Sequence, residues 1–329
     1  MFSTSPWDRI RYERTHLKVN ICILITFLEV KFNKWAQYAN TIAGANGAGD
    51  KLFQLNEPQA IKVDEFSSMY VVDHGNHRIV QWKWNGKQGE VIAGGNGKGK
   101  RLDQLHGPTD VIVNQLNYSY IIADQGNKRV IRWLKYNQQE VLIENISCYG
   151  LAIDKHGDLY VSDTEKNEVR KWKIGEKGKE GILVAGGNGE GDQLNQLSSP
   201  TYIIVDDEQS IYISDNSNNR VMKWKKGAKE GVIIAGGNGH GDDLNQLYDP
   251  SGLILDRWGR IYVSDHLNHR IMRWCEGNSE GEIIVCGNGR GDKSNQLHRP
   301  TGLSFDIQGN LFVSDHYNER IQKFDRISQ

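Results

Sequence analysis

An all-β fold built from six repeated four-stranded units is what this sequence predicts, and three observations carry that prediction. The phrase Tyr70-Val-Val-Asp73 returns as Ile121-Ile-Ala-Asp124, Tyr160-Val-Ser-Asp163, Tyr212-Ile-Ser-Asp215, Tyr262-Val-Ser-Asp265 and Phe312-Val-Ser-Asp315, with aspartate spacings of 51, 39, 52, 50 and 50. An aromatic residue stands nine positions after each aspartate: Trp82, Trp133, Trp172, Trp224, Trp274 and Phe324. A proline stands fifteen before four of them (Pro58, Pro200, Pro250, Pro300), and Pro108 stands sixteen before Asp124. Self-similarity at a fixed period of this size marks units that bury their faces by stacking on one another.

Within a unit the elements follow in order, as the fifth shows. Gly252-Leu-Ile-Leu-Asp256 alternates and stops at the turn Arg257-Trp-Gly-Arg260. Ile261-Tyr-Val-Ser264 comes next, then the turn Asp265–Arg270, then Ile271-Met-Arg-Trp274 and Glu282-Ile-Ile-Val285. Short runs alternating at period two between turn residues favour strands over helix. Four strands in about 50 residues make a propeller blade. The aromatic residue on the third strand is expected to fill the gap between blades, where burial of such a ring is worth about 1.5–3 kcal/mol.

Closure is expected too. The sixth unit has three strands before Gln329, while Ala39-Asn-Thr-Ile-Ala-Gly44 matches the fourth-strand ending Val91-Ile-Ala-Gly94. The N-terminal strand therefore supplies the outer strand of the last blade and removes an exposed edge. The expectation is a six-bladed β-propeller over residues 37–329 after an extension, residues 1–36.

Composition narrows the function classes. Forty basic residues against 41 acidic ones give a net charge of −1, which lacks the basic footprint of a nucleic-acid binder. Four cysteines in 329 residues exclude a disulfide scaffold. Cys275 and Cys286 fall on adjacent strands of the fifth unit but out of register, so free thiols are expected.

The run Pro250-Ser-Gly-Leu-Ile-Leu-Asp-Arg-Trp-Gly-Arg-Ile-Tyr-Val-Ser-Asp-His-Leu-Asn-His-Arg-Ile271 resembles the NHL repeat, with its Pro-x-Gly-Leu opening, Asp-x-x-Gly turn and Tyr-Val-x-Asp-x-x-Asn-x-Arg centre. The resemblance covers nearly all of residues 37–329. It implies a six-bladed propeller serving mostly as an interaction platform, and occasionally as an enzyme. The third unit departs from it: Cys148 replaces the proline, Lys166 the turn asparagine and Glu168 the arginine. The turn aspartates and asparagines have local hydrogen-bonding work. Arg78, Arg129, Arg220, Arg270 and Arg320 are expected to pair with acceptors in the same or an adjacent blade.

The period also explains several suggestive motifs. Gly94-Gly-Asn-Gly-Lys-Gly-Lys100 looks like a phosphate loop, yet Arg101 stands where Ser or Thr is needed. Similar loops recur at Gly44–Asp50, Gly186–Asp192, Gly236–Asp242 and Gly287–Asp292, so they read as connections between blades rather than phosphate or calcium sites. Arg290-Gly-Asp292 fills the same slot.

Antiparallel strands place the glycine loops, the residues after each proline and the Asp-x-x-Asn-x-Arg turns on one face, where binding residues are expected. The candidates are Gln59, His74, Asp110, Gln125, Tyr149, Tyr202, His266 and His316; Ser251 and Thr301 complete the expected channel mouth. Deletion of the glycine loop before Cys148 is expected to open a notch at blade three.

Two enzyme alternatives remain. Lactonase-type propellers hold calcium with several inward acidic ligands, and the expected mouth has one carboxylate. Peptide-amidating lyases place zinc-binding histidines in the turns after the second strands, where this chain has His77 and His269, an incomplete open zinc site. No catalytic residue or cofactor is therefore assigned; zinc at His77 and His269, or calcium, is the alternative. The expected activity is non-catalytic binding of a protein or peptide by a monomer. A metal-dependent lyase or hydrolase is the first alternative and RNA binding on the loop face the second, although nucleic acid is not the expected partner.

Val19–Val30 is a twelve-residue apolar run after Arg9, Arg11, Arg14 and Lys18. It is short for a membrane span, and no small-x-small cleavage site follows it. It offers a signal or membrane tether, with a cytoplasmic location slightly favoured over secretion or anchoring.

Overall fold

The structure, a computed structural model, describes residues 34–44, 46–114, 119–134, 138–176 and 180–327. The apolar run and basic stretch near the N-terminus, with the tether they suggest, lie outside the described residues. Among the described residues no helix is long and apolar enough to cross a membrane.

Six four-stranded antiparallel sheets form the molecule. Blade one is Pro58–Val63, Met69–Asp73, Arg78–Trp82 and Glu90–Gly94. Blade two is Asp110–Asn114, Ser119–Asp124, Arg129–Leu134 and Gln138–Glu144. Blade three is Cys148–Ile153, Asp158–Asp163, Glu168–Lys173 and Ile182–Gly186. Blade four is Pro200–Val205, Ile211–Asp215, Arg220–Trp224 and Val232–Gly236. Blade five is Pro250–Leu255, Ile261–Asp265, Arg270–Trp274 and Glu282–Val285. Blade six takes Pro300–Phe305, Leu311–Asp315 and Arg320–Phe324, and its outer strand is Asn40–Gly44.

That last pairing closes the ring as expected, with Thr41 opposite Gln322 and Gly44 opposite Arg320. The first strands touch their neighbours all the way round, blade six meeting blade one. A further pair, Lys34–Trp35 with Arg326–Ile327, extends the seam. Trp35 is buried there, edge-on to Tyr262 and stacked on Phe305 at 5.9 Å.

Interblade packing follows the aromatic period. Trp82, Trp133, Trp224, Trp274 and Phe324 are buried, while Trp172 is partly open. Each fourth strand must pass close to its ring. At Gly281 a Cβ would come within 2.5 Å of the Trp274 ring and at Gly231 within 2.6 Å of Trp224, so only glycine fits. Cys148, Cys275 and Cys286 are free and buried. The latter two lie one residue beyond their strands rather than on them, because those strands end at Trp274 and Val285.

In five blades the turn after the second strand is locked to the glycine loop before the same blade. In blade five, Asp265 accepts from Arg270 Nε (2.7 Å), Asn268 Nδ2 (2.9 Å) and the Tyr248 backbone N–H (2.7 Å). Arg270 spends its other nitrogens on the carbonyls of Asp242, Asp243 and Gln246, and Asn268 also donates to that of Gly241. Arg78, Arg129, Arg220 and Arg320 repeat the arrangement. The interior of each loop is filled by a glutamine amide, as where Gln196 Nε2 donates to the Asn188 carbonyl at 3.0 Å.

Blade three shows the converse. It has no glycine loop, so the carbonyls that Asn and Arg serve elsewhere do not exist there. Lys166 and Glu168 occupy their places. Glu168 pairs with Arg170 at 2.6 Å, and Asp163 caps its own turn through the N–H groups of Glu165 and Lys166. The departures at Lys166 and Glu168 thus share one cause, the missing loop.

Arg270→Ala leaves Asp265 buried without its cation and should cost about 3–5 kcal/mol in urea unfolding. Lys166→Asn, which restores the repeat residue where no loop carbonyl waits, should stay within about 0.5 kcal/mol of the parent.

Candidate functional site

The first strands line the central channel and begin on the loop face, where a cleft of about 320 Å³ opens. Its hydroxyls come from Tyr149, Thr164, Ser199, Thr201, Ser251 and Thr301. Gln125 and Asn216 add amides, Asp249 a carboxylate and His266 an imidazole. Blades two to six contribute, each at a position set by the repeat. Residues just after the proline position form the inner circle, and those just after the turn aspartate form the outer one.

Two levels must be distinguished. Below the mouth, Tyr202 of blade four reaches across the channel and donates to the Gln59 carbonyl of blade one at 2.7 Å. Gln59 Nε2 donates to the Tyr149 hydroxyl. The two tyrosine rings meet edge-on at 5.5 Å. Together they plug the channel, and burial pushes both phenols well above their ordinary range. Of this trio, Tyr149 borders the cleft.

Asp110 is a wall residue, 1% exposed. Its carboxylate accepts from the backbone N–H of Val111 (2.8 Å) and Leu151 (3.0 Å) and sits 3.7 Å from the Lys62 ammonium. Burial pushes its carboxyl up and Lys62 opposes the shift. The channel-mouth expectation thus mixed two depths. Gln59, Tyr149, Ser251 and Thr301 directly follow the proline position, whereas Asp110 and Tyr202 stand one residue deeper. Counting strictly from the proline gives Thr109 and Thr201 in their place; Thr201 borders the cleft, while Thr109 is as buried as Asp110.

The histidines join neighbouring blades. Nδ1 of His74, His266 and His316 lies 2.9, 3.1 and 3.2 Å from the carbonyls of Pro108, Pro300 and Pro58. A carbonyl only accepts, so Nδ1 carries the proton and Nε2 keeps its lone pair. Asn216 makes the same bond to Pro250 at 3.1 Å. Burial is the main force pushing His266 and His316 down to about 4. Their rings are 6.4 Å apart, but His266 alone of the three borders the cleft.

His77 and His269 have the opposite polarity. Each offers Nδ1 to a backbone N–H of the next blade, Gly107 at 3.2 Å and Arg299 at 3.1 Å. Asn167 and Asn219 do this work in blades three and four, accepting from Ser199 (2.8 Å) and Asp249 (3.0 Å). His77 Nδ1 also lies 3.1 Å from the His74 carbonyl of its own turn, so the two zinc candidates are engaged in turn and blade contacts, with blade six between them. Among the described residues no group of three or more His, Cys, Asp or Glu is placed to hold a metal.

At blade three Cys148 follows Glu144 after three residues, with no glycine loop between the strands. Lys128 and Glu165 pair across the blade boundary at 2.6 Å, and Thr164 Oγ1 donates to the Ser147 carbonyl at 3.1 Å. Gln125, Tyr149 and Thr164 border the cleft on this side.

No protein-family model matches the chain. No curated protein matches its sequence either. Solved structures do share the fold. An auxiliary nutrient-binding protein of Bacteroides thetaiotaomicron is similar over 89% of this chain and 77% of its own, at 14% identity and a TM-score of 0.69. A gluconolactonase of Xanthomonas campestris is similar over 90% and 97%, at 12% identity and a TM-score of 0.62. Virginiamycin B lyase of Staphylococcus aureus covers 88% and 99%, at 12% identity and a TM-score of 0.57. At these identities the likeness speaks for the propeller architecture.

His269 is held at about 4 by burial first, then by His298, Arg290 and Arg299. Unfolded, it titrates near 6.5, so between those values the unfolded chain binds more protons. Stability from this group is complete above about pH 6.5 and is lost as pH falls towards 4. His269→Asn, which copies Asn219, should keep the bond to Arg299 and flatten the fall in urea midpoint between pH 7 and 5.

Proposed function

We propose that this chain is an NHL-type propeller acting as a non-catalytic binding module, with a protein or peptide held in the loop-face cleft. The observation that carries the reading is the lining. Hydroxyl, amide and single ionisable side chains from five blades converge on one concave surface above a plugged channel. Rigid strands present them, and the variable positions of the repeat supply them. That is how a scaffold separates recognition from folding.

The missing glycine loop at blade three supports a peptide over a compact ligand. An extended chain can leave the cleft there without meeting a glycine loop, and side chains of Gln125 and Thr164 flank the exit. Hydrogen-bonding groups at fixed spacing suit a polar segment.

Panning a random peptide library on the purified full chain tests the proposal. Gln125→Trp, which places a bulky ring in the cleft without removing a blade contact, should weaken selected peptides at least tenfold and leave urea unfolding unchanged. Peptides that bind Gln125→Trp as well as the parent would move the site elsewhere.

A further inference from the structure

Building on the binding reading above, we infer that the cleft takes a primary ammonium group of a peptide, received by the Asp249 carboxylate and the Thr201 hydroxyl. The inference begins with which polar groups in the lining are already occupied. Thr301 Oγ1, in the lining, donates to the Pro58 carbonyl at 3.2 Å, and Thr109 Oγ1, buried outside the lining, donates to that of Tyr149 at 2.7 Å. Thr201 holds the equivalent place in blade four, is 7% exposed, and its hydroxyl has no hydrogen-bond partner. A buried hydroxyl left unpaired costs about 1–3 kcal/mol, which a ligand atom recovers.

Asp249 is the second such group. It is half-buried at the cleft edge, and among the described residues its carboxylate makes no hydrogen bond or ion pair. Burial pushes its carboxyl up; Arg299 and His240 act on it from a distance. The Arg299 guanidinium is turned onto the Tyr317 ring, 5.0 Å from its centre, and His240 packs on Tyr248. Neither closes on the carboxylate.

His266 adds a third acceptor. Its Nδ1 is committed to the Pro300 carbonyl, so Nε2 presents a lone pair in the same cleft. No lysine or arginine belongs to the lining. One carboxylate, one free hydroxyl and one acceptor nitrogen complement a group with three donors, no acceptor and a positive charge. A carboxylate or phosphate meets Asp249 with like charge. A neutral polyol leaves Asp249 without a cation.

The ammonium has two sources in a peptide, a lysine side chain or the amino terminus, and three probes separate them. Nα-acetyl-lysine amide carries only the first, glycylglycine amide only the second, and Nα,Nε-diacetyl-lysine amide neither. In calorimetric titrations of the full chain, at least one ammonium probe should bind and the diacetyl probe should not. Asp249→Asn should weaken the binding probe at least tenfold. Asparagine tolerates the left-handed backbone at this position (φ 50°), so the fold is preserved. Thr201→Val should weaken binding severalfold without lowering the urea midpoint, which a purely structural threonine would not do. The inference is overturned if neither ammonium probe binds, if the diacetyl probe binds equally, or if Asp249→Asn is silent. Panned peptides that are sensitive to Gln125→Trp but indifferent to acetylation and to Asp249→Asn would keep the cleft as the site and remove the ammonium assignment alone. Insensitivity to Gln125→Trp as well would remove both.

Discussion

The buried aspartate–arginine clamp is the constraint on which the loop face depends. Burial pushes the Asp265 carboxyl up, and Asn268, Arg270 and the Tyr248 N–H oppose it. A carboxylate so deep persists because both of its oxygens are answered by donors, one of them a cation. The arginine then carries the constraint outward, since its planar fork can reach three loop carbonyls at once. Turn and loop are thereby fixed to one another in five blades. Blade three, which has no loop, has neither the fork nor the amide.

A second set of contacts works sideways. Nδ1–H donors at His74, His266 and His316, and acceptors at His77, Asn167, Asn219 and His269, tie each turn to the following blade. In blade six Glu319 accepts from the Glu57 backbone N–H in the same way, so these positions tolerate histidine, asparagine or glutamate according to whether the neighbouring blade supplies a carbonyl or an N–H. In three dimensions these histidines fasten neighbouring blades to one another.

The period made blade number, strand order and ring closure legible before any coordinate, because stacking demands the same aromatic, turn and proline in every unit. Depth along the channel was not legible from the same pattern. Adjacent residues of one strand face different surroundings, and a one-residue slip exchanges mouth for wall, as Thr201 and Tyr202 show. Tyr202 crossing to Gln59 depends on the diameter of the closed ring, which no local window contains. Lys34 and Trp35 were equally hidden: their partners, Arg326 and Ile327, are nearly three hundred residues away. The free hydroxyl of Thr201 follows from which carbonyl its neighbour presents, a property of packing rather than of residue type.

Ring closure has a consequence for synthesis. Thr41 Oγ1 reaches Gln322 Oε1 at 2.9 Å across 281 positions of chain. At a ribosomal rate of ~5–20 residues per second, the early strand waits on the order of 15–55 s for its mate. During that interval a nascent polypeptide carries an unpaired strand beside a growing stack of finished sectors. The hazard of aggregation therefore lasts until one late pairing turns an open arc into a ring whose remaining edges are short outer strands.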